Sequence, residues 1–170
     1  MHETSPIIHK NFTDAVFEWK VDSQPDSFPI RVKFGRLAIA GYNQTDVELN
    51  IDHDGLRAQS IVRGIEGGTS VYLGNDFLVP AYLRRKGLGR AMVIALAQAH
   101  NIATYGDRRT DIPILLEGLF VNAGESFANR VCEGLPRKGS PSRLRPEVVK
   151  DVTERLVLVT SPEFVGADRT

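Results

Sequence analysis

The sequence predicts an α+β fold: a mixed, mostly antiparallel central sheet with flanking helices and a strand-rich N-terminal half. Three observations carry that prediction. Up to residue 80 apolar side chains alternate with polar or small ones, at Gly87 their spacing changes to three and four, and the stretches between are rich in Gly, Pro, Asn, Asp and Ser. A period of two places one set of side chains on one face of a strand, and a period near 3.6 does the same for a helix.

The alternating segments are 15–21 (AVFEWKV), 28–35 (FPIRVKFG), 36–42 (RLAIAGY) and 46–52 (DVELNID), which read as strands of an antiparallel meander. Their separators are 22–27 (DSQPDS), 43–45 (NQT) and 52–55 (DHDG), and Asp54-Gly55 suits a tight hairpin turn. Asp46 and His53 near that turn are residue types that bind metals, but their number and spacing match no metal loop, so the turn is the expected role. Segment 56–68 (LRAQSIVRGIEGG) reads two ways: Ile61, Val62 and Ile65 could line a helix, whereas Gly64 and the double glycine favour a short element. A strand over 69–79 (TSVYLGNDFLV) carries Gly74 inside it, which marks a bulge or a close approach by another group.

Leu88, Met92, Leu96 and Ala99 then define the apolar face of a helix over 87–99. A polar loop follows at 105–111, and 112–121 (IPILLEGLFV) reads as a buried strand. A helix fits 125–133 (ESFANRVCE), ended by Gly134, and 136–146 is a loop rich in Pro, Ser, Gly and Arg. Pro146 and Glu147 open a helix to about Glu154, and 155–160 (RLVLVT) closes the chain as a strand before a frayed tail.

At 170 residues, with 42% hydrophobic and 25% charged residues, the chain fits one globular domain. Its 21 basic residues balance 21 acidic ones, so charge gives no general pull toward nucleic acid or an anionic membrane, and any anion site is local. The single cysteine, Cys132, excludes an internal disulfide and a Cys-paired zinc, which points to a reducing, cytoplasmic setting. The opening MHETSPIIHK lacks the basic start and apolar centre of a signal peptide, and no run nears the roughly 18 apolar residues of a membrane span.

The stretch 84–90 (RRKGLGR) stands between an apolar segment and the start of the predicted helix. Unbonded N–H groups at a helix start and the helix dipole favour an anion there, glycines admit it to the backbone, and Arg84, Arg85 and Lys86 add field. A solvated basic turn is the plainer reading of the same composition. The phosphate loop of nucleotide hydrolases does not fit, because Gly89 is followed by Arg90 and Ala91 instead of Lys and a hydroxyl residue. The dinucleotide fingerprint does not fit either, since Met92 stands at its third glycine.

Arg84-x-x-Gly87-x-Gly89 does match the signature Gln or Arg, two residues, Gly, one residue, Gly or Ala, and here the chain resembles the GNAT superfamily of N-acetyltransferases. The segment 74–82 (GNDFLVPAY) is similar to that family's splayed, bulged strand, 115–121 (LLEGLFV) to the strand that follows the helix, and Ala128-x-x-Val131-Cys132-Glu133 to its Ala-x-x-Leu-Tyr-Glu helix. The resemblance spans about 69–135, with 155–160 as the last strand. It implies one acyl-CoA N-acyltransferase-like domain over 1–170, with 1–68 the variable acceptor side, 69–135 the cofactor-binding core and 136–170 a loop and C-terminal strand.

By the same resemblance the activity would be direct acetyl transfer from acetyl-CoA, without a metal, to an amine of a small molecule or protein, in a family that often forms homodimers. Backbone groups of Phe77, Leu78 and Val79 would pair with the pantetheine arm. The amides of Arg85, Lys86, Gly87, Leu88, Gly89 and Arg90, with the Arg84 side chain, would hold the pyrophosphate; Glu125 stands at the family's asparagine, with Asn122 one turn earlier as the cofactor-binding candidate, and the loop 136–145 (PRKGSPSRLR) is either a contact to the cofactor's 3'-phosphate, an acidic acceptor or nucleic acid, or a solvated loop. The first half departs from the family in being strand-rich where two helices are usual, and Cys132 stands where the family's acid tyrosine does. A catalytically silent, GNAT-like module that binds coenzyme A or a partner is the alternative.

Acyl transfer to an amine needs a neutral amine and a proton for the leaving thiolate. Glu117 interrupts an apolar run and so serves either as a base facing a polar cavity or as a strand-edge residue in solvent. Asp76 is the second candidate base. Cys132 is a candidate acid or a small core residue, with Tyr82 and Tyr105 as substitutes for the acid.

Overall fold

Alternating apolar residues need a partner surface on one side only, and in the computed structural model of this chain they find it in a curved sheet around one helix. The structure describes residues 12–21, 27–37, 46–74, 76–118, 120, 123–137 and 139–165. Within them β1 (Ala15–Lys20), β2 (Ser27–Leu37), β3 (Val47–His53), β4 (Leu56–Ile65) and β5 (Gly68–Leu73) are successive antiparallel neighbours. A 3-10 turn at Ala81–Leu83 and α1 (Leu88–Tyr105) carry the chain across the sheet to β6 (Ile114–Glu117), which lies parallel to β5. After α2 (Ala123–Val131) a two-residue strand, β7 (Ser142–Arg143), pairs with β6; α3 (Pro146–Arg155) then leads to β8 (Leu156–Thr160) beside β1. The described residues thus form one mixed, mostly antiparallel eight-stranded sheet, ordered β7-β6-β5-β4-β3-β2-β1-β8, and the fold is α+β as expected.

Several segments differ from the sequence reading. The strand expected over 69–79 stops at Leu73, the one expected over 112–121 is only Ile114–Glu117, and the loop at 136–146 contains the short strand β7. Residues 28–35 and the first part of 36–42 form the single strand β2, because the irregularity at Phe34–Leu37 is absorbed as a shift of register against β3 and not as a turn. The rest of 36–42 lies outside the described residues, as do most of 22–27 and all of 43–45 and 166–170. Segment 56–68 is neither short nor helical: β4 runs ten residues, paired on both sides, with Leu56, Ala58, Ser60 and Val62 buried. Asp54 (φ 52°) and Gly55 (φ 86°) make the tight β3–β4 turn, and Glu66 and Gly67 (φ 77°) make the next, with Gly68 already paired in β5.

The sheet wraps α1, which packs against β1 through β5 and against α3. A helix enclosed this way has no solvent face, so Leu88 and every residue from Ala91 to Ile102 are buried, well beyond the single face read from Leu88, Met92, Leu96 and Ala99. Four alanines, Ala91, Ala95, Ala97 and Ala99, let the surrounding strands approach closely. The helix also outruns its expected end, because its polar residues Gln98, His100 and Asn101 are taken into the core. It stops at Tyr105, where Gly106 turns left-handed (φ 90°) and its N–H bonds to the Ile102 carbonyl.

Buried polar groups must be bonded, and Gln98 anchors a small network. Its amide donates to the Arg109 carbonyl (2.8 Å) and accepts from the Arg109 N–H (2.9 Å), while Asn101 donates to Gln98 (3.2 Å) and accepts from the Thr69 hydroxyl (2.7 Å). The loop after α1 is held to the core by this double bond. Gln98→Leu leaves those backbone groups unpaired, so it is expected to cost about 2–3 kcal/mol and to speed hydrogen exchange at Arg109, read by urea denaturation and amide exchange. Among the described residues no helix is long and apolar enough to cross a membrane.

Candidate functional site

The parallel pairing of β5 with β6 ends at Tyr72 and Glu117. Beyond it no further pairing joins the two segments among the described residues. One arm stays with β4: Gly74 N–H bonds to the Gln59 carbonyl (2.8 Å), and Leu78 exchanges both backbone bonds with Arg57 (2.7 and 3.0 Å). Going from 74 to 78 on this arm while its partner goes only from 59 to 57 makes a bulge, which is what Gly74 foretold. On the β6 side stand Phe120 and α2. A cleft of about 1130 Å³ lies between them.

Its walls come from four places. Leu73, Phe77, Leu78 and Val79 line the bulged arm, and Phe120, Phe127 and Val131 line the α2 side. Arg84, Arg85, Gly87, Leu88, Gly89 and Arg90 close one end, while Arg145 and Val148, from the start of α3, complete the rim. Apolar walls ending in a cluster of arginines suit an elongated ligand with an apolar arm and an anionic head.

The anionic end is built on the start of α1. Gly87 is the N-cap, with φ 75° and no side-chain cap, and the first turn carries no acidic residue. Ala91 N–H makes the first intrahelical bond, to the Gly87 carbonyl, which leaves the N–H groups of the preceding turn without an intrahelical acceptor. The Arg90 Nε is buried without a partner among the described residues, and Arg84 Nε donates to the Val79 carbonyl (3.2 Å), folding its side chain back along the cleft. This end therefore concentrates donors and positive charge.

The structure brings together most of the cofactor residues expected from the sequence, with two refinements. Phe77, Leu78, Val79, Arg84, Arg85, Gly87, Leu88, Gly89 and Arg90 all line the cleft. Leu78 does so through its side chain, since its N–H and C=O are both taken by Arg57; on a strand the neighbouring Phe77 and Val79 present their backbone groups the opposite way. Lys86 is not among the lining residues, and its carbonyl faces the core, where it accepts from the Trp19 indole at 2.7 Å. Asn122 lies outside the described residues.

The two glycines also have partners inside the protein. A Cβ on Gly87 would come 3.0 Å from Trp19 Cζ2, and one on Gly89 would come 3.0 Å from the ring of Phe127. Ligand access, which the sequence reading assigned to both, is thus joined by close packing.

None of the residues considered for acid or base chemistry lines the cleft. Asp76 is paired with Arg57 at 2.8 Å, and Glu117 accepts the Gly139 N–H at 2.7 Å, tying down the turn between Arg137 and Ser140. Cys132 is fully buried beside Leu144; burial pushes its thiol up to about 11, against a smaller opposing effect of Arg145. Tyr82 is exposed, and Tyr105 lies under the Arg109 guanidinium at the other end of α1.

Sequence reasoning singled out none of Phe127, Arg130 and Trp19, and reached Arg145 only as the end of the basic loop 136–145. Phe127 packs on the first turn of α1 and meets Phe77 at 5.7 Å between ring centres. Arg130 lines the cleft from α2, and Arg145 both lines it and donates to the carbonyls of Asn129 and Arg130 at the end of that helix (3.3 Å each). Trp19 supports the loop from beneath. The signal available for Arg130 was only its charge, for Arg145 it was the basic loop that it ends, and for Trp19 there was none, because it is separated from its partner Lys86 by 67 positions in the chain. No protein-family model, curated protein or solved structure matches the chain.

Proposed function

We propose that this chain is a GNAT-type N-acyltransferase that holds acetyl-CoA in the cleft between the β5 and β6 arms and passes the acyl group directly to an amine. The observation that carries the reading is the cleft itself: it opens where parallel strands part, its long walls are apolar, and its end is an α1 N-terminus flanked by Arg84, Arg85 and Arg90. When bound, an acyl thioester would supply an activated carbonyl that a neutral amine attacks, a C–N bond forming as the C–S bond breaks and the amine's proton passing to the released thiolate. The backbone of Phe77 and the N–H of Val79 offer edge hydrogen bonds to an amide-bearing arm, and the amides and arginines of the α1 end balance two phosphates. Exclusion of water by Leu73, Phe77, Phe120 and Phe127 strengthens those polar contacts.

A second reading has its own observation. The described lining residues include arginines but no carboxylate, histidine, cysteine or tyrosine, which favours a module that binds coenzyme A without catalysis. The two readings part on one pair of measurements. Native mass spectrometry or calorimetry with acetyl-CoA should give saturable one-to-one binding, and thiol release should then be followed across a broad panel of small-molecule and peptide amines. Binding with amine-dependent thiol release supports transfer, binding without it supports the silent module, and no binding sinks both. Arg90→Ala is expected to weaken acetyl-CoA binding about tenfold, more at low salt than at high.

A further inference from the structure

Trp19 lies on β1, in the half of the chain farthest in sequence from the cleft, yet its indole N–H donates to the Lys86 carbonyl at 2.7 Å. The side chain is fully buried, its ring would touch a Cβ on Gly87, and the Arg155 guanidinium covers the ring at 4.4 Å. Arg155 is itself fixed by Asp151 (3.2 Å) and by the Lys20 carbonyl (3.0 Å). The indole is therefore a braced donor and not a side chain that happens to lie near the loop.

Its partner is the carbonyl between two left-handed residues, Arg85 (φ 65°) and Gly87 (φ 75°). A left-handed arginine is unfavourable by roughly 1 kcal/mol or more, so its surroundings must hold it there. In a trans peptide the carbonyl of one residue and the N–H of the next point in opposite directions. A bond that turns the Lys86 carbonyl toward the core thus turns the Gly87 N–H away from it, and Gly87 lines the cleft.

The geometry points to Trp19 as the positioning residue of the anion-binding end: its indole orients the Lys86–Gly87 peptide so that the Gly87 amide, with the free amides of the first turn of α1, faces a phosphate group. Trp19 touches no ligand and acts through the loop. This role rests on the acyl-CoA reading for the natural ligand, but the loop's taste for a diphosphate can be measured independently.

Trp19 is the sole tryptophan, so its indole resonance in the ¹⁵N-labelled full-length protein needs no assignment. That proton should exchange slowly with solvent, and both it and the Gly87 amide should shift on titration with coenzyme A and with inorganic pyrophosphate. Trp19→Phe keeps a buried ring and removes the donor. It should weaken coenzyme A and pyrophosphate about tenfold while leaving the affinity for pantetheine, which carries no phosphate, unchanged. An equal loss for coenzyme A and pantetheine, or none for either, overturns the positioning role, and so does an indole proton that exchanges at the free rate in the wild type, a measurement that stands even if the variant does not fold. Wild-type protein that binds pyrophosphate but not coenzyme A overturns the acyl-CoA reading and leaves Trp19 to be judged on pyrophosphate by the same tenfold criterion. Binding of neither probe overturns both.

Discussion

Replacing Gly87 with valine is expected to destabilise the fold by about 3 kcal/mol and to abolish acetyl-CoA binding at concentrations that saturate the wild type. Two effects add. The backbone at φ 75° is one that a β-branched side chain rarely adopts, and the new Cβ would sit 3.0 Å from Trp19 Cζ2 and 3.3 Å from the Arg90 guanidinium. Trp19 cannot give way easily, because it is fully buried, bonded to Lys86 and covered by Arg155. Relief must therefore come from the loop, which carries the amides and arginines that the ligand needs. Gly89→Ala makes a useful contrast. Its Cβ would meet only the edge of Phe127, a half-buried ring at the cleft wall that can move aside, so a cost below about 1.5 kcal/mol and a partial loss of affinity are expected. Urea denaturation and calorimetry on the two variants check this order, and a Gly87→Val protein as stable as the wild type would refute it.

Acid is expected to weaken the fold through one residue on α1. His100 is 2% exposed, next to Gly64 of β4, and neither ring nitrogen has a hydrogen-bond partner among the described residues. Burial lowers its pKa from 6.5 to about 4, with the Asn101 side chain opposing weakly. Between those values the unfolded chain holds a proton that the folded chain refuses, so stability falls as pH drops from about 6.5 to about 4 and this contribution is flat outside the window. A depression of that size corresponds to about 3 kcal/mol. His100→Leu puts an apolar side chain of similar bulk there and removes the titration. Unfolding free energies from urea denaturation between pH 7.5 and 4 should fall steeply for the wild type and about 3 kcal/mol less for the variant. Parallel curves would assign acid sensitivity to other groups.

Much of the fold was legible because local chemistry and the final environment agree. The strands at 15–20, 47–53 and 156–160, the Asp54-Gly55 turn and the start of α3 at Pro146 stand close to where periodicity and turn residues put them. Disagreement appears where a segment is covered on more than one side. β4 has strands on both edges, so pairing overrides the helix-like spacing of Ile61, Val62 and Ile65 and the weakness of Gly64. The helix α1 is enclosed all round, so its end was set by the network of Gln98, Asn101 and Arg109 and by Gly106, not by the last apolar residue.

The candidate site divides in the same way. Arg84, Gly87, Gly89 and Arg90 were readable because a glycine-bearing basic loop before a helix has a local meaning. Gly74 was readable as a bulge for the same reason. The roles weighed for Asp76, Glu117 and Cys132 depended on what each side chain meets, and those partners, Arg57, the Gly139 amide and Leu144, come from other parts of the chain.

By itself the sequence determined an α+β chain with strands first, a long apolar helix opened by a glycine-rich basic loop, and a bulge ahead of that loop. These depend on residues within a few positions of one another, where backbone sterics, turn chemistry and periodicity act. Only the tertiary structure decided that β5 and β6 part to leave a cleft, that arginines from α2 and α3 join its rim, and that a tryptophan from β1 holds the loop from below. Those contacts are set by how the sheet curves around α1, a property of eight strands packed together that no single segment encodes.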